Sequence, residues 1–458
     1  MVEKVKLRLS GRQHAALLNH LYPGDGKEAV AIALCGVGKY HDIMVVCIHQ
    51  IEEIPYEKCS VRTEDQLTWS TDLLPDLLQK AGQGYVILKI HSHPTGYAHF
   101  SEFDDHADRD LFKGIAGWLN TDYPGISAIM LPDGKIIARL VKADGSFSDV
   151  SSVIVAGPDI LYWDNEQEQE QDQDKSLLYS KRTKQTFGRG TTQKLSHLSI
   201  GIVGVSGTGS PLTEMLARLG VGELVLVDGD IVKEVNLGRI YNSSMGDVSL
   251  KKKKVHVMGD AIRRNELPVN VVEIPTDLFN PEVIQHLAQC DIIFGCMDSY
   301  DGRNALNKLS VYYSIPYFDL GVFLDADGKG SVDQVCGTVH YIQSDGSSLF
   351  SRKVYTAEQL RVADMYRNNP DQYRDQVRSK YIQGINEERP AVISVNTLIA
   401  SLAVNDFLAR IHQFRDDPNN EFESIGISLT QTRLYTDIEG VLRSSCEERW
   451  PWGCAAIA

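Results

Sequence analysis

The sequence predicts an α/β protein of two domains, a small α/β domain followed by a larger doubly wound α/β domain. Three observations predict it. A polar stretch, "DNEQEQEQDQDKS" (164–176), divides the 458 residues. Its alternating acids and glutamines hold too little apolar surface for a core and read as a flexible linker. Ahead of it, short β-rich runs ("AVAIALCG", "DIMVVCI", "YVILKI", "ISAIMLP", "IIARLV") alternate with helical stretches near residues 11–22, 71–82 and 103–120, as in a small α/β domain. Behind it, the apolar strand "LSIGIVGV" runs into a glycine turn, a helix from Pro211 to Leu219, and a second strand, "ELVLVDGD". That order opens a doubly wound nucleotide-binding sheet. The expected boundaries are residues 1–160, a linker over 161–177, and 178–458 with a C-terminal tail. "DIIFGCMDS" is a later strand, and "AVISVNTLIASLAVNDFLARI" a long buried helix or helix pair.

Composition narrows the class. At 43% hydrophobic and 23% charged residues, the chain is ordinary globular material. A net charge of −15 argues against nucleic acid as a partner. No apolar run has the length of a membrane span, and the first twenty residues lack a secretory apolar run. Eight cysteines scattered through the chain fit a reducing, cytoplasmic setting rather than a disulfide framework. Most of them, such as Cys35, Cys47 and Cys296, sit in apolar runs as core thiols.

The first candidate site is "HSHPTGYAHFSEFDD" (91–105). His91 and His93 flank Ser92 at a strand end, so alternation turns both imidazoles to one face. Seven residues separate His93 from Ser101, and Asp104 lies three beyond Ser101. Two imidazole nitrogens and one carboxylate make a three-ligand zinc set with one position open, as a hydrolytic metal requires. Glu28, at the start of another strand, is the candidate general base. The competing reading of a bare His-x-His pair is a surface turn; the full train of His, His, Pro, Ser and Asp favours chemistry. His106, just past the train, reads as a surface helix residue. The stretch resembles the JAMM (MPN/JAB) metalloprotease motif over roughly residues 1–160. The resemblance implies that His91, His93 and Asp104 bind Zn2+, that Glu28 works the water, and that Ser101 hydrogen-bonds the tetrahedral intermediate. It also implies cleavage after the C-terminal Gly of a ubiquitin-like protein.

The second candidate site begins at "GIVGVSGTGS", with Gly204, Gly207 and Gly209. A dinucleotide dehydrogenase shares such a turn and an acid at the next strand end, here Asp228. The residues that follow point elsewhere: Asp230, Asn236 and Arg239, the lysine run 251–254, and Asp298 after a strand. An Arg, a Lys and a second Asp converging on phosphates suit an enzyme that holds ATP and Mg2+ while a carboxylate attacks the α-phosphate. The span 178–345 resembles the ubiquitin-activating adenylyltransferase family of ThiF and MoeB, and Ser206 departs from that family's glycine turn. The resemblance implies that Asp228 contacts the ribose, Asn236 and Arg239 the phosphates, and Asp298 the Mg2+. The phosphate lysine is Lys254 by helix alignment or Lys252 by spacing from Asp247; most of a four-lysine run is a solvated face. Arg182 stands where the family has an Arg that reaches the partner subunit's ATP, against a reading as surface charge. Family members usually dimerise through this domain.

Transfer after adenylation is a separate question. The crossover region lacks the family's usual cysteine, and serines stand where a structural-zinc pair falls. Cys446 and Cys454, in "SSCEERWPWGCAAIA", are the alternatives for a transfer thiol, which needs a depressed pKa. The joint expectation is a bifunctional enzyme that adenylates a ubiquitin-like protein and cleaves bonds to it, with a conjugating enzyme as a further partner. Such fusions resemble those of bacterial conjugation operons, some linked to antiphage defence. Rival expectations are sulfur-carrier processing and activation for thiocarboxylate synthesis, an ATP-inactive scaffold disabled at Ser206, and a dehydrogenase with a metal domain, disfavoured by Asn236, Arg239 and Asp298 together.

Overall fold

Strand alternation and helix caps account for most of the observed architecture. The computed structural model describes residues 4–40, 42–81, 84–119, 123–164, 178–379 and 390–438. The chain divides into two units, Met1–Asp172 and Gln173–Ala458.

The first unit runs β1 (Lys4–Ser10), α1 (Gly11–Leu21), β2 (Val30–Tyr40), β3 (Ile43–Glu53), β4 (Cys59–Arg62), β5 (Leu67–Trp69), α2 (Leu74–Ala81), β6 (Tyr85–Ser92), α3 (Glu102–Leu119), β7 (Gly125–Met130), β8 (Ile136–Val141), β9 (Phe147–Asp149), β10 (Ser152–Ala156) and β11 (Ile160–Asp164). Nine of these strands form one sheet, ordered β11-β10-β1-β3-β2-β6-β7-β8-β9, and β4 and β5 pair separately. Both faces of the sheet are covered, and side-chain alternation sorts the residues between them. Ala31, Ala33 and Cys35 of β2 pack with Leu17 and Leu21 of α1. Val30, Ile32 and Leu34 pack with Leu77 of α2 and Phe112 of α3. A capping box starts α1: the Gln13 amide N–H donates to Ser10 Oγ (3.2 Å) and the Ser10 N–H to Gln13 Oε1 (2.9 Å). β11 pairs with β10 through Asp164, so the first sheet continues four residues beyond the expected boundary at 160.

The second unit runs α4 (Lys181–His197), β12 (Ser199–Val203), α5 (Gly209–Leu219), β13 (Glu223–Val227), α6 (Met245–Ser249), α7 (Lys254–Arg264), β14 (Asn270–Ile274), α8 (Pro281–Gln289), β15 (Ile292–Gly295), α9 (Tyr300–Tyr313), β16 (Tyr317–Ala326), β17 (Val332–Ile342), α10 (Ala357–Asn368), α11 (Pro370–Arg378), α12 (Ile393–His412), β18 (Ser424–Ser428) and β19 (Arg433–Asp437). Its sheet is ordered β14-β13-β12-β15-β16-β17-β18-β19. The first five of these strands are parallel and the rest pair antiparallel. Order reverses between β12 and β15, and such a switch point opens a crevice at the strand C-termini. The long apolar stretch is one helix, α12, whose Phe407 meets Phe294 and Phe318 at ring-centroid distances of 6.0 and 6.2 Å. Among the described residues no helix is long and apolar enough to cross a membrane.

Phe407 is fully buried, so Phe407→Ala is expected to destabilise the second unit by about 3–5 kcal/mol. Denaturant-dependent hydrogen exchange of the β15 and β16 amides measures it; a loss below about 1 kcal/mol would show that this cluster is not the core.

Candidate functional site

The histidine site is assembled by β6, the start of β2 and the start of α3. In β6, Ile87, Lys89 and His91 share the face toward α3 by alternation. The Ser92 N–H donates to the Ala29 carbonyl (3.0 Å), and the Ala29 N–H donates to Ser92 Oγ (2.9 Å). These bonds hold Glu28 beside the two histidines. His93 lies one residue past the strand and donates its N–H to Met130 O (3.0 Å). Its Nδ1 is 2.7 Å from the Tyr97 carbonyl. A carbonyl only accepts, so Nδ1 carries a proton and Nε2 is the nitrogen turned toward His91 and Asp104.

The ligand atoms converge. His91 Nε2 and His93 Nε2 are 3.1 Å apart, and Asp104 oxygens lie 2.9 Å from the first and 3.6 Å from the second. Donor atoms about 2.0–2.1 Å from a tetrahedral ion stand roughly 3.3 Å from each other, so these three residues fit a zinc ion. A Glu28 oxygen also lies within 4.8 Å of both ring nitrogens. All four side chains are buried. Burial, with the Lys89 charge adding to it, depresses His91 to about 4 against its bond to Asp104, which leaves a neutral imidazole able to ligate. Burial raises Glu28 to about 7, in the range suited to a proton acceptor at neutral pH. Burial opposes ionisation of Asp104, yet hydrogen bonds from His91, His93 and Ser101 hold it well below the ordinary carboxylate range.

Ser101 differs from expectation. Its hydroxyl donates to Asp104 Oδ2 (2.7 Å), and its backbone N–H donates to the same oxygen (2.8 Å). In this arrangement it orients the carboxylate. The cleft beside these residues has one wall from the β4–β5 hairpin, with Asp65, Leu67 and Trp69, and another with Tyr97 and Phe103. Sequence reasoning passed over both this hairpin and the support beneath the site. Lys89 Nζ lies 2.7 Å from Asp108 Oδ1, and Arg139 reaches Asp108 Oδ2 at 2.8 Å. The available signal was a lysine inside the apolar run "YVILKI".

The glycine site lies at the C-terminal ends of β12, β13 and β15. Gly204 has φ +91°, and a Cβ there would meet the Cys296 carbonyl at 2.7 Å. A Cβ at Gly209 would meet the Gly204 carbonyl at 1.9 Å. The turn thus requires glycine at those positions and accommodates Ser206, which is half-buried. Asp228 accepts the Val205 N–H (2.9 Å) and the Asp230 N–H (2.9 Å). Lys254 is buried, with Nζ 2.7 Å from Asp230 Oδ2 and 3.6 Å from Asp228 Oδ1. Lys252 pairs instead with Asp260 (2.5 Å) and Asp247 (3.5 Å). Arg239 packs at the glycine turn, its Cδ 3.4 Å from the position of a Gly207 Cβ. Asn236 is buried and accepts the Lys233 N–H (3.0 Å). Asp298 is exposed in the loop after β15, next to Met297, whose Cγ would lie 3.2 Å from a Gly204 Cβ. Arg182 is exposed on α4, and none of its described contacts involves this turn. Cys446 and Cys454 fall outside the described residues. Asn396 of α12, absent from the expected site, lies against Gly207; its signal was one amide in the apolar run "AVISVNTLIASL".

Comparison with known families matches residues 179–439 to the ThiF family. The chain belongs to the ThiF family. Residues 12–137 of this ThiF protein match prokaryotic homologs of the JAB domain. Among curated proteins it is similar to the adenylyltransferase and sulfurtransferase UBA4 of Meyerozyma guilliermondii, 32% identical over 148 residues, which cover 32% of this chain and 34% of the other. It is also similar to ubiquitin-like modifier-activating enzyme 5 of Culex quinquefasciatus, 26% identical over 168 residues, which cover 35% and 40%. The chain thus spans between a third and two fifths of the length of these relatives. A solved structure of E. coli MccB with ATP aligns over 57% of this chain and 71% of that one, at 21% identity and a TM-score of 0.43.

The two lysines make a direct test. Lys254→Ala is expected to weaken ATP binding about tenfold or more, and Lys252→Ala to leave it within about threefold, because Lys254 contacts Asp228, the acid that accepts the Val205 N–H of the glycine turn. Isothermal titration of each variant checks this, and the reverse order would contradict the assignment.

Proposed function

We propose that this chain is a bifunctional enzyme of a ubiquitin-like protein system. Its ThiF domain adenylates the C-terminal Gly of a ubiquitin-like protein, and its JAB-type domain hydrolyses a bond to that same Gly. The observation that carries the reading is the convergence of His91, His93 and Asp104 within 3.6 Å, in one chain with a glycine turn that Arg239 packs against and whose Val205 N–H is accepted by Asp228, the acid beside Lys254.

In the first domain His91, His93 and Asp104 would hold zinc. A bound zinc ion supplies Lewis acidity, which polarises a carbonyl and makes water a nucleophile near neutral pH. Glu28 accepts the proton of the attacking water and returns it to the leaving amine. Ser101 keeps the Asp104 carboxylate oriented. In the second domain the glycine turn lets ATP phosphates approach the backbone. Asp298 would hold the Mg2+ that screens phosphate charge. Lys254 and Arg239 stabilise the charge that builds on the α-phosphate as the Gly carboxylate attacks and pyrophosphate leaves. Arg182 is proposed as a contact to a partner subunit in a homodimer, and a conjugating enzyme as the acceptor of the activated protein. A second reading, activation for thiocarboxylate formation, is favoured by the absence of a cysteine at the family's usual transfer position. There the adenylate passes to sulfide rather than to Cys446 or Cys454.

Glu28→Gln is expected to keep one zinc per chain, measured by elemental analysis, while hydrolysis of a ubiquitin-like protein with a C-terminal extension falls at least about a hundredfold. Its pyrophosphate exchange with ATP and the trimmed protein stays at the wild-type rate. Hydrolysis that survives in Glu28→Gln would overturn the assignment, and absence of exchange in the wild type would support the scaffold.

A further inference from the structure

Asn396 lies in the first turn of α12, within the interior, and is only 4% exposed. No described residue bonds to its side-chain amide, whose polar atoms are not among those sealed from solvent without a partner, so the amide borders open space. Its position shows what it faces. A Cβ on Gly207 would stand 2.4 Å from Asn396 Nδ2 and 3.4 Å from Arg239 Cδ. The amide therefore fills the space that the absent Gly207 side chain leaves open, beside the Arg239 stem. Two helices begin at this place. α5 starts two residues after Gly207, and neither its N-cap, Thr208, nor the N-cap of α12, Val392, makes a side-chain capping bond. Helix N-termini favour an anion, but here the Ser210 N–H already bonds to the Ser206 carbonyl (2.9 Å), the Val395 and Asn396 N–H groups bond to the Val392 carbonyl (3.1 Å each), and Pro211 has no N–H. The amide between them, on a residue 4% exposed and with no bond to a described residue, is the independent observation that a ligand acceptor belongs there.

We propose that Asn396 is a phosphate-binding residue of the adenylation site, donating from Nδ2 to a phosphate oxygen of ATP. This rests on the adenylation reading above and extends it to an element well downstream of the glycine turn. Gly207 then has a second role besides letting phosphate approach the backbone: it keeps the path of the Asn396 amide open. A neutral donor suits the position, since Arg239 and Lys254 already supply positive charge and a carboxylate there would repel the phosphates.

The test compares ATP with adenosine, which shares the base and ribose but lacks phosphates, by titration calorimetry on the full chain. Asn396→Ala is expected to raise the ATP dissociation constant about tenfold or more, as for a lost bond to a charged group. Asn396→Asp, nearly identical in shape and packing, is expected to raise it further, with adenosine affinity within about twofold of wild type in both variants. Unchanged ATP affinity in both variants would overturn the proposal. A parallel loss of ATP and adenosine affinity would also overturn it, assigning Asn396 to packing. A wild type that bound adenosine and ATP equally weakly would instead remove the adenylation reading, and the phosphate role with it.

Discussion

Lys89 stands in the middle of an apolar strand with its ammonium buried, 2.7 Å from Asp108. A buried charge is tolerated only when paired, and removing one partner of such a pair costs several kcal/mol. Asp108 answers both Lys89 and Arg139, so α3 is tied at once to β6 and to β8. The next residue on that face of β6 is His91, and one turn ahead of Asp108 in α3 is Asp104. The ion pair thus fixes the spacing between the strand that supplies imidazoles and the helix that supplies the carboxylate. A ligand set tolerates displacements of only a fraction of an ångström, and this pairing provides the rigidity.

The second unit uses the same constraint differently. Lys254 is buried against Asp228 and Asp230, so it is held by the acids of the β13 loop. Fixed charges oriented before the reaction stabilise developing charge without a reorganisation cost. Asp230 is largely exposed, so on the proposed reading nucleotide phosphates can draw on Lys254. The two domains share a chain, and on the proposed reading they share a substrate terminus. Covalent linkage then raises the concentration of each site for the other's product without any new contact.

Much of this was legible in the sequence because it is written in local spacing. The His-x-His pair at the end of "YVILKI", Asp104 three residues past Ser101, and a strand running into Gly204 all follow from short-range rules. The same rules missed whatever depends on distant partners. Ser101 was expected to face a reacting carbonyl, but only the folded start of α3 shows its hydroxyl bound to Asp104. The choice between Lys252 and Lys254 turned on Asp260 and Asp230, which lie on different sides of the α7 start. Asn396 lies 189 positions beyond Gly207, and no spacing rule joins a residue of the last long helix to a turn in the first βαβ unit. β11 runs to Asp164 because it pairs with β10, a partner that local composition does not reveal.

The most direct measurement of the central claim follows one ubiquitin-like precursor, carrying a short extension after its Gly, by intact-mass spectrometry with zinc, Mg2+ and ATP. The account predicts that the wild-type chain first releases the extension and only then forms the adenylate, and that the Glu28→Gln chain leaves the precursor unmodified but adenylates the same protein supplied already trimmed. Adenylation of an unrelated terminus while the trimmed protein is ignored would contradict it, because the two sites would then serve different substrates.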